Sequence, residues 1–498
     1  MKKNGLLQYI YFVFLFIILI SFTGYCEESN STTSLTDMIN EHKLLKKKIQ
    51  ELEQKLSDKK NEAADDCESV RQELDELSRR LDVTERKGIL DRINFSGELR
   101  TRMDDLDYDK EVNGKKGHGT LHELWSNRFR LNIRADINDN LVLHGRLSYY
   151  KFWGYSKFEG TFRDWDYAKY HIPEGTLHVE RVYVDYFLPK LPIAITFGRL
   201  PGSEGPPYEL KEYTTRKSTW PSLMNDIEVD GIITTIDLNK ISPLKNTRFR
   251  LAYCKSGQNY LKYKNELNLD DTRLLAIAFE SELPQISNSL FWLSYSSIIN
   301  KVPMGDTPPL DVVNNPDSAG DMHICTLHVQ VNKIKQTGLS LFASISFFHF
   351  TADPDGSVLN INTDFGSFYY NEVGFYGDRN SGTLGKDRNA YCVYAGFNYA
   401  LPIPILKNPE LGIEYNHGSK YWTGLASSGD RDIRHKFDVN GDAVEIYYVQ
   451  PISDRYMFLR IGSLWMDYDY FNPMYIYGNQ RKSDMVLKNY YVVCYVRF

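Results

Sequence analysis

The 498-residue sequence has only six cysteines, at positions 26, 67, 254, 325, 392 and 494, and none falls in a CxxC pair. That spacing excludes zinc ribbons and thioredoxin-like redox centres, and the lack of CxxCH excludes covalent c-type haem. Beyond residue 20 there is no run of eighteen apolar residues, so the rest of the chain holds no transmembrane-helix candidate. Charge of one sign is also scarce: 59 basic against 65 acidic residues leave a net −6, which suits neither a nucleic-acid binder nor an acidic tail. None of the eleven histidines, His144, His323 and His328 included, lies in a motif pairing it with a nucleophile. Catalytic residues, cofactors and a resident metal are therefore not expected, and an enzyme such as a surface lipase is the weakest reading. The acidic stretch 305–321 carries Asp306, Asp311, Asp317 and Asp321 without calcium-loop spacing, which allows no more than loose bridging of divalent cations.

What is present begins with Lys2 and Lys3, an apolar run from Tyr9 to Ile20, and small or polar residues at Ser21, Thr23 and Gly24. This reads as a secretory signal peptide, residues 1–26, because the run falls short of the roughly twenty residues that span a bilayer. Tyr25 ahead of Cys26 is too bulky for a lipoprotein signal. A linker, 27–34, follows.

Residues 35–90 read as an α-helical coiled coil. Leu35, Met38, His42, Leu45, Ile49, Leu52 and Leu56 hold one heptad register, and Cys67, Val70, Leu74, Leu77 and Leu81 a second. The eleven residues from Leu56 to Cys67 are one heptad plus four, a stutter that unwinds the supercoil without ending the helix. Glu and Lys fill the flanks, where they make interchain pairs. Two readings stay open, self-association or a single surface helix packed on the β-domain that follows, and Cys67 is either a small buried hydrophobe or an interchain link.

From about residue 91 to 498 the period becomes two. Phe129, Leu131, Ile133, Ala135 and Ile137 alternate with Arg128, Arg130, Asn132, Arg134 and Asp136. One apolar and one charged face is what lipid and an aqueous lumen require. The same reading gives strands near residues 94–103, 127–138, 141–153, 176–188, 192–199, 228–238, 247–256, 272–283, 289–298, 322–333, 337–350, 389–400, 409–417, 442–451, 454–466 and 486–498. Turns near 139, 190, 285, 335 and 452 are compact, those near 242 and 404 somewhat longer, and the connections between them are long. Segregation of loop length by parity belongs to transmembrane barrels. An even strand number returns the C-terminus to the side of the first strand, so both ends and the coiled coil are expected in the periplasm. Aromatics such as Tyr149, Tyr150, Phe152 and Trp153 suit either an interfacial girdle or packing under a loop.

Charges on the lumen-assigned faces cannot sit in hydrocarbon, where each costs about 2–4 kcal/mol at the midplane. Arg100, Arg102, Arg128, Arg130, Arg134, Arg146, Arg181, Arg248 and Arg250 there form a basic ladder against Glu98, Asp136 and Asp185. A mild anion preference is one outcome and balance by loop carboxylates the other. The connection 198–226 carries Glu204, Glu209, Lys211, Glu212, Arg216 and Lys217, with turns at Gly202, Gly205, Pro206 and Pro207. It is either an inward-folded constriction with opposed charges or a surface loop. The chain ends NYYVVCYVRF, with Tyr490, Val492, Cys494, Val496 and Phe498 on one face.

NFSGELRTR at 94–102, the hairpin NRFRLNIRADINDNLVLHGRL at 127–147, RVYVDYF at 181–187, ITFGRLPG at 195–202 and the terminal Phe498 together resemble bacterial outer-membrane porins of the kind that carry a periplasmic coiled coil before the barrel. The resemblance spans nearly all of the mature chain. It implies an all-β transmembrane antiparallel barrel of about 16 strands in outer-membrane lipid. It also implies a homotrimer, and a final Phe read by the barrel assembly machinery. It names no solute, since these porins are largely uncharacterised. The expected function is passage of water, ions and small polar solutes. A tether from the outer membrane to the cell wall through the coiled coil is the alternative.

Overall fold

The computed structural model describes residues 92–112, 115–153, 177–257, 270–302, 310–312, 318–363, 366–425, 435–453, 456–471 and 476–498, and upstream 44, 46–51 and 75–77. The chain divides into two compact units, 1–91 and 92–498. In the first, the described residues are helical. The signal peptide, the linker and most of the heptad positions lie outside the described residues. No described helix is long and apolar enough to cross a membrane, which says nothing of strands.

Among the described residues twenty strands belong to the second unit: β1 (Ile93–Val112), β2 (Lys115–Asn138), β3 (Leu141–Phe152), β4 (Leu177–Phe187), β5 (Ile193–Leu200), β6 (Val229–Asp237), β7 (Arg248–Gly257), β8 (Thr272–Ser281), β9 (Ser289–Ile299), β10 (Leu310–Val312), β11 (Gly320–Val331), β12 (Leu339–Ala352), β13 (Ser357–Thr363), β14 (Gly366–Gly374), β15 (Gly377–Asp378), β16 (Arg388–Ala400), β17 (Glu410–Gly418), β18 (Asn440–Ser453), β19 (Met457–Phe471) and β20 (Arg481–Arg497). Sixteen close an antiparallel barrel, and β10, β13, β14 and β15 make a separate four-stranded sheet within the long connections. Closure is by β1 and β20, in register from Glu98 opposite Arg497 to Asp109 opposite Val486.

Period-two alternation decides which side chains face out. Leu99, Val182, Phe197, Ile232, Leu251, Leu275, Ile277, Leu293, Leu341, Phe347, Ile446, Ile461 and Val496 are exposed on the outside of the wall. An apolar surface running round a whole barrel is far larger than a water-soluble monomer exposes. The alternate positions, including Arg100, Arg128, Tyr447, Glu445, Arg460, Tyr491 and Tyr495, are buried inside. Trp153, just past the end of β3, stacks at 4.9 Å on Trp125 in the middle of β2, whereas Tyr150 turns inward.

The first hairpin differs from expectation. In place of a long irregular loop after residue 103, β1 and β2 run on as strands of 20 and 24 residues. The reason is that alternation continues past the membrane-length segment: Leu106 is fully buried, and Tyr108, Leu121 and Leu124 pack beside it on Val439, Leu464, Met466, Tyr468 and Leu487. That apolar underside holds the extension flat.

Candidate functional site: a charged lumen crossed by a loop

The connection between β5 and β6 folds into the barrel. Its limbs meet too closely for any side chain at two points: a Cβ on Gly202 would lie 1.8 Å from the Ile227 carbonyl oxygen, and one on Gly205 1.7 Å from that of Trp220. Only glycine fits there. Asp226 organises the turn, accepting from the Glu204 amide at 3.0 Å and from the Tyr208 hydroxyl at 3.2 Å. A short helix, α1 (Tyr208–Glu212), forms the tip. It touches the far wall, where Asn398 of β16 donates to the Leu210 carbonyl at 3.3 Å, Arg460 of β19 to that of Lys211 at 3.1 Å, and Arg497 of β20 to that of Tyr213 at 3.2 Å. The loop therefore crosses the lumen.

At its near end Glu204 meets a basic wall. Its carboxylate is 2.5 Å from Arg130, 3.1 Å from Arg146 and 3.3 Å from Arg181, and it also pairs with Lys217. Burial alone would raise its pKa, but Arg146, Lys217, Arg181 and Arg130 outweigh that and hold it well below the ordinary carboxylate range. Three further carboxylates complete the cluster. Glu98 pairs with Arg128, Glu180 lies 2.8 Å from Arg130 and 3.1 Å from Arg146, and Glu228 lies 2.9 Å from Arg181.

At the far end a loop cation also meets a wall carboxylate. Lys211 of the loop pairs with Glu445 of β18, which also receives Lys436 at 2.8 Å and the Tyr491 hydroxyl. Lys436 comes from the β17–β18 connection, a second inward segment whose Trp422 and Phe437 are buried, and it pairs with Glu414 too. Glu212 accepts from the Tyr495 hydroxyl at 3.3 Å and lies 3.9 Å from Arg497. Glu209, buried at the centre, accepts from Gln330 at 2.6 Å. Burial pushes its carboxyl above the ordinary range.

The remaining ladder arginines are spread around the wall. Arg102 binds Asp104 at 2.6 Å beneath the Tyr491 ring, and buried Arg100 faces the Tyr150 ring at 5.9 Å. Arg248 and Arg250 share Glu280 at 3.0 and 2.9 Å, and Arg250 also lies over Trp292. Arg134 sits apart at the short-turn end, exposed and paired with Asp136 at 2.9 Å. Arg216 donates to the Ser289 carbonyl at 3.3 Å. Between the loop and β7–β9 a cavity of about 220 Å³ remains, lined by Arg216, Lys217, Arg248, Glu280, Glu282 and Trp292.

Sequence reasoning missed Glu180 for a definite reason. Arg146 pairs with Arg181 but Leu147 with Val179, so Glu180 is the extra residue of a β-bulge. Strict alternation sends Glu180 outward, whereas the bulge turns both it and Arg181 inside. A charged VER triplet in an otherwise apolar outer row is the signal that would have found it. Lys436 and Glu445 had no local signal, because they meet across a non-local loop.

At the seam, the terminal residue pairs with β1 through two backbone hydrogen bonds, the Gly97 amide donating to the Phe498 carbonyl at 3.0 Å and the Phe498 amide to the Gly97 carbonyl at 3.1 Å. Its ring covers Gly97, where a Cβ would come within 2.4 Å of it. Glu98 lies 3.4 Å from Arg497, so an ion pair also crosses the closing strands.

Among solved structures the chain is similar to Pseudomonas putida OprB at high pH, with a TM-score of 0.47 at 11% identity over 83% of this chain and 96% of that one. It is also similar to an anion-selective porin from Comamonas acidovorans, with a TM-score of 0.43 at 10% identity over 82% and 99%. OmpF of Salmonella typhi in complex with daunomycin gives 0.42 at 10% identity over 82% and 97%. No curated protein matches the chain. Residues 120–492 match a family described as a protein of unknown function, DUF3373, and the chain belongs to that family.

Proposed function

We propose that this protein is a bacterial outer-membrane channel passing water, ions and small polar solutes, with the β5–β6 loop as its constriction. The observation that carries this reading is the closed wall of sixteen strands, apolar outside and charged inside, crossed by a loop bearing both signs of charge. Opposed charges in a narrow aqueous passage orient water and favour polar solutes over apolar ones. Passage down a gradient uses no cofactor.

In this reading both chain ends face the periplasm, the signal peptide is removed, and residues 35–90 trimerise the chain beneath the membrane. The barrel assembly machinery would engage the β20 end with Phe498. The Arg–Glu pairs leave only a small positive excess in the near cluster, so the selectivity expected is a mild anion bias. Planar-bilayer recording tests this: conducting steps with a reversal potential slightly toward the anion are expected, and neutralising Arg128, Arg130 and Arg134 together should reduce the bias. Cation selectivity unchanged by the triple substitution would sink it.

The crossing loop and the packed far wall favour a second reading. A barrel so filled also suits an anchor, with the coiled coil as a tether to the cell wall. Correctly assembled barrels that never conduct, together with co-sedimentation of residues 35–90 with the cell wall, would put this reading first.

A further inference from the structure

The extension of β1 and β2 carries a second group of titratable side chains, outside the lumen and away from the crossing loop. Alternation places Asp105, Asp107 and Asp109 on the outward face of β1, opposite the side that packs through Leu106. Asp109 is the cross-strand partner of His118, and Asp107, opposite Thr120, lies two pairs along on the same face. His118 Nδ1 lies 2.9 Å from Asp109 Oδ1 and 3.5 Å from Asp107 Oδ1. Donor atoms of all three residues fall within 4.8 Å of one another.

We propose that Asp107, Asp109 and His118 form a binding site for a divalent first-row transition metal, with Zn²⁺ as the representative ion. Metal–ligand bonds of about 2.0–2.2 Å at tetrahedral angles separate neighbouring ligand atoms by roughly 3.3–3.5 Å. The His118 separations of 2.9 and 3.5 Å lie close to that value and all three donor pairs fall within 4.8 Å, so closure on a metal needs side-chain rotation and no movement of the strands. An imidazole beside two carboxylates selects Zn²⁺-like ions over Ca²⁺ and Mg²⁺, which prefer oxygen ligands alone. Asp107, whose side chain is 42% exposed, turns Oδ1 toward His118 Nδ1 and makes no hydrogen bond through that atom among the described residues, which leaves it available as a ligand atom. The underside is fixed: the Tyr108 ring lies against Gly119, where a Cβ would come within 2.2 Å of it, and Leu106 is fully buried. Backbone so held pre-positions the donors. The side chains of His118 and Asp109 are 60% and 63% exposed, leaving an approach for the ion and room for water to complete its coordination.

Calorimetric titration of the chelator-stripped, full-length protein in detergent with ZnCl₂ tests the site. One saturable site is expected, weakened at least tenfold in His118→Ala and in Asp109→Asn, and unchanged in His349→Ala, an outward histidine on β12. Millimolar MgCl₂ should not displace the ion. Because the substituted side chains are exposed, the heat-dependent gel mobility of each variant should match the parent and exclude misfolding. Absence of saturable Zn²⁺ binding, or equal affinity in His118→Ala, would overturn the proposal. So would binding lost only in His122→Ala, whose ring pairs with Asp105 at 2.7 Å. None of these readouts depends on whether the barrel conducts.

Discussion

The two ends of the loop that crosses the lumen are held by charge in opposite senses. At the near end one loop carboxylate, Glu204, is shared by Arg130, Arg146, Arg181 and Lys217, whereas at the far end Lys211 joins Lys436 on the wall carboxylate Glu445. The near contact is a hub: four cations converge on one acid, and although Arg130 and Arg146 also reach Glu180 and Arg181 reaches Glu228, Glu204 is the carboxylate they share with Lys217. The far contact is redundant, since Glu445 keeps Lys436 and the Tyr491 hydroxyl if Lys211 is removed. Removing one member of a buried ionic cluster is damaging in proportion to the charge left uncompensated. The two ends should therefore fail very differently.

Glu204→Gln should have the largest effect. It leaves the guanidinium groups of Arg130, Arg146 and Arg181 short of countercharge in a buried place, at a cost of about 3–5 kcal/mol for a broken buried pair. The temperature at which the folded band is lost on gels should drop, and reversal potentials should move further toward anion selectivity. The parent contact has a definite pH dependence. Because Glu204 sits well below the ordinary carboxylate range when folded, its stabilisation is complete above that range and is lost only as pH falls through the depressed value. Above the ordinary range the difference between parent and variant should be constant, and in strong acid it should shrink. A variant as stable as the parent at neutral pH would show that the near end is not a hub.

How much of this was readable in sequence follows from what is local. The sixteen barrel strands were legible because lipid on one side and water on the other force a period of two, as in Phe129, Leu131 and Ile133 against Arg128, Arg130 and Asn132. The loop's charges were legible, but their partners were not. Glu180 was hidden by a bulge that breaks the period by one residue, and Lys436 reaches Glu414 and Glu445 from a connection whose inward course has no periodic signature. The β1–β2 extension was read as a loop because GKKGHG at 114–119 interrupts the alternation that Leu106, Tyr108, Leu121 and Leu124 carry across it.

Lys211→Met sharpens the comparison from the other side. The substitution keeps an unbranched apolar stem against the Tyr491 ring, which the Lys211 ammonium faces at 5.6 Å, and removes one of two lysines from Glu445. Loss of one hydrogen-bonded charge with the rest of the network intact costs about 1–3 kcal/mol. The melting shift should be clearly smaller than for Glu204→Gln. Adding Lys436→Met should then destabilise by more than the sum of the two single changes, because only the double variant removes both lysines from Glu445. Simple additivity in that cycle would remove the case for redundancy.

The smallest effect is expected midway along the loop, at Glu209, and it should have the opposite sign. Burial raises this carboxyl above its ordinary value, against partial compensation from Gln330, the loop backbone, Arg216 and Asn332. Its Oε1 accepts from Gln330, while Oε2 is buried with no hydrogen bond among the described residues. An acid whose folded pKa is raised weakens the fold when ionised; that cost is fully present above the folded value and disappears as pH falls below the ordinary one. Glu209→Gln keeps the carbonyl acceptor for Gln330 and carries no charge. At pH 8 the variant should thus be as stable as the parent or slightly more so, by less than about 1 kcal/mol. Near pH 4 that advantage should vanish, because the parent carboxyl is then protonated. Thermal melts of the two proteins at both pH values measure the difference. A variant less stable at pH 8 would mean that Glu209 is held ionised by the basic groups around it, and that the middle of the loop behaves like its near end.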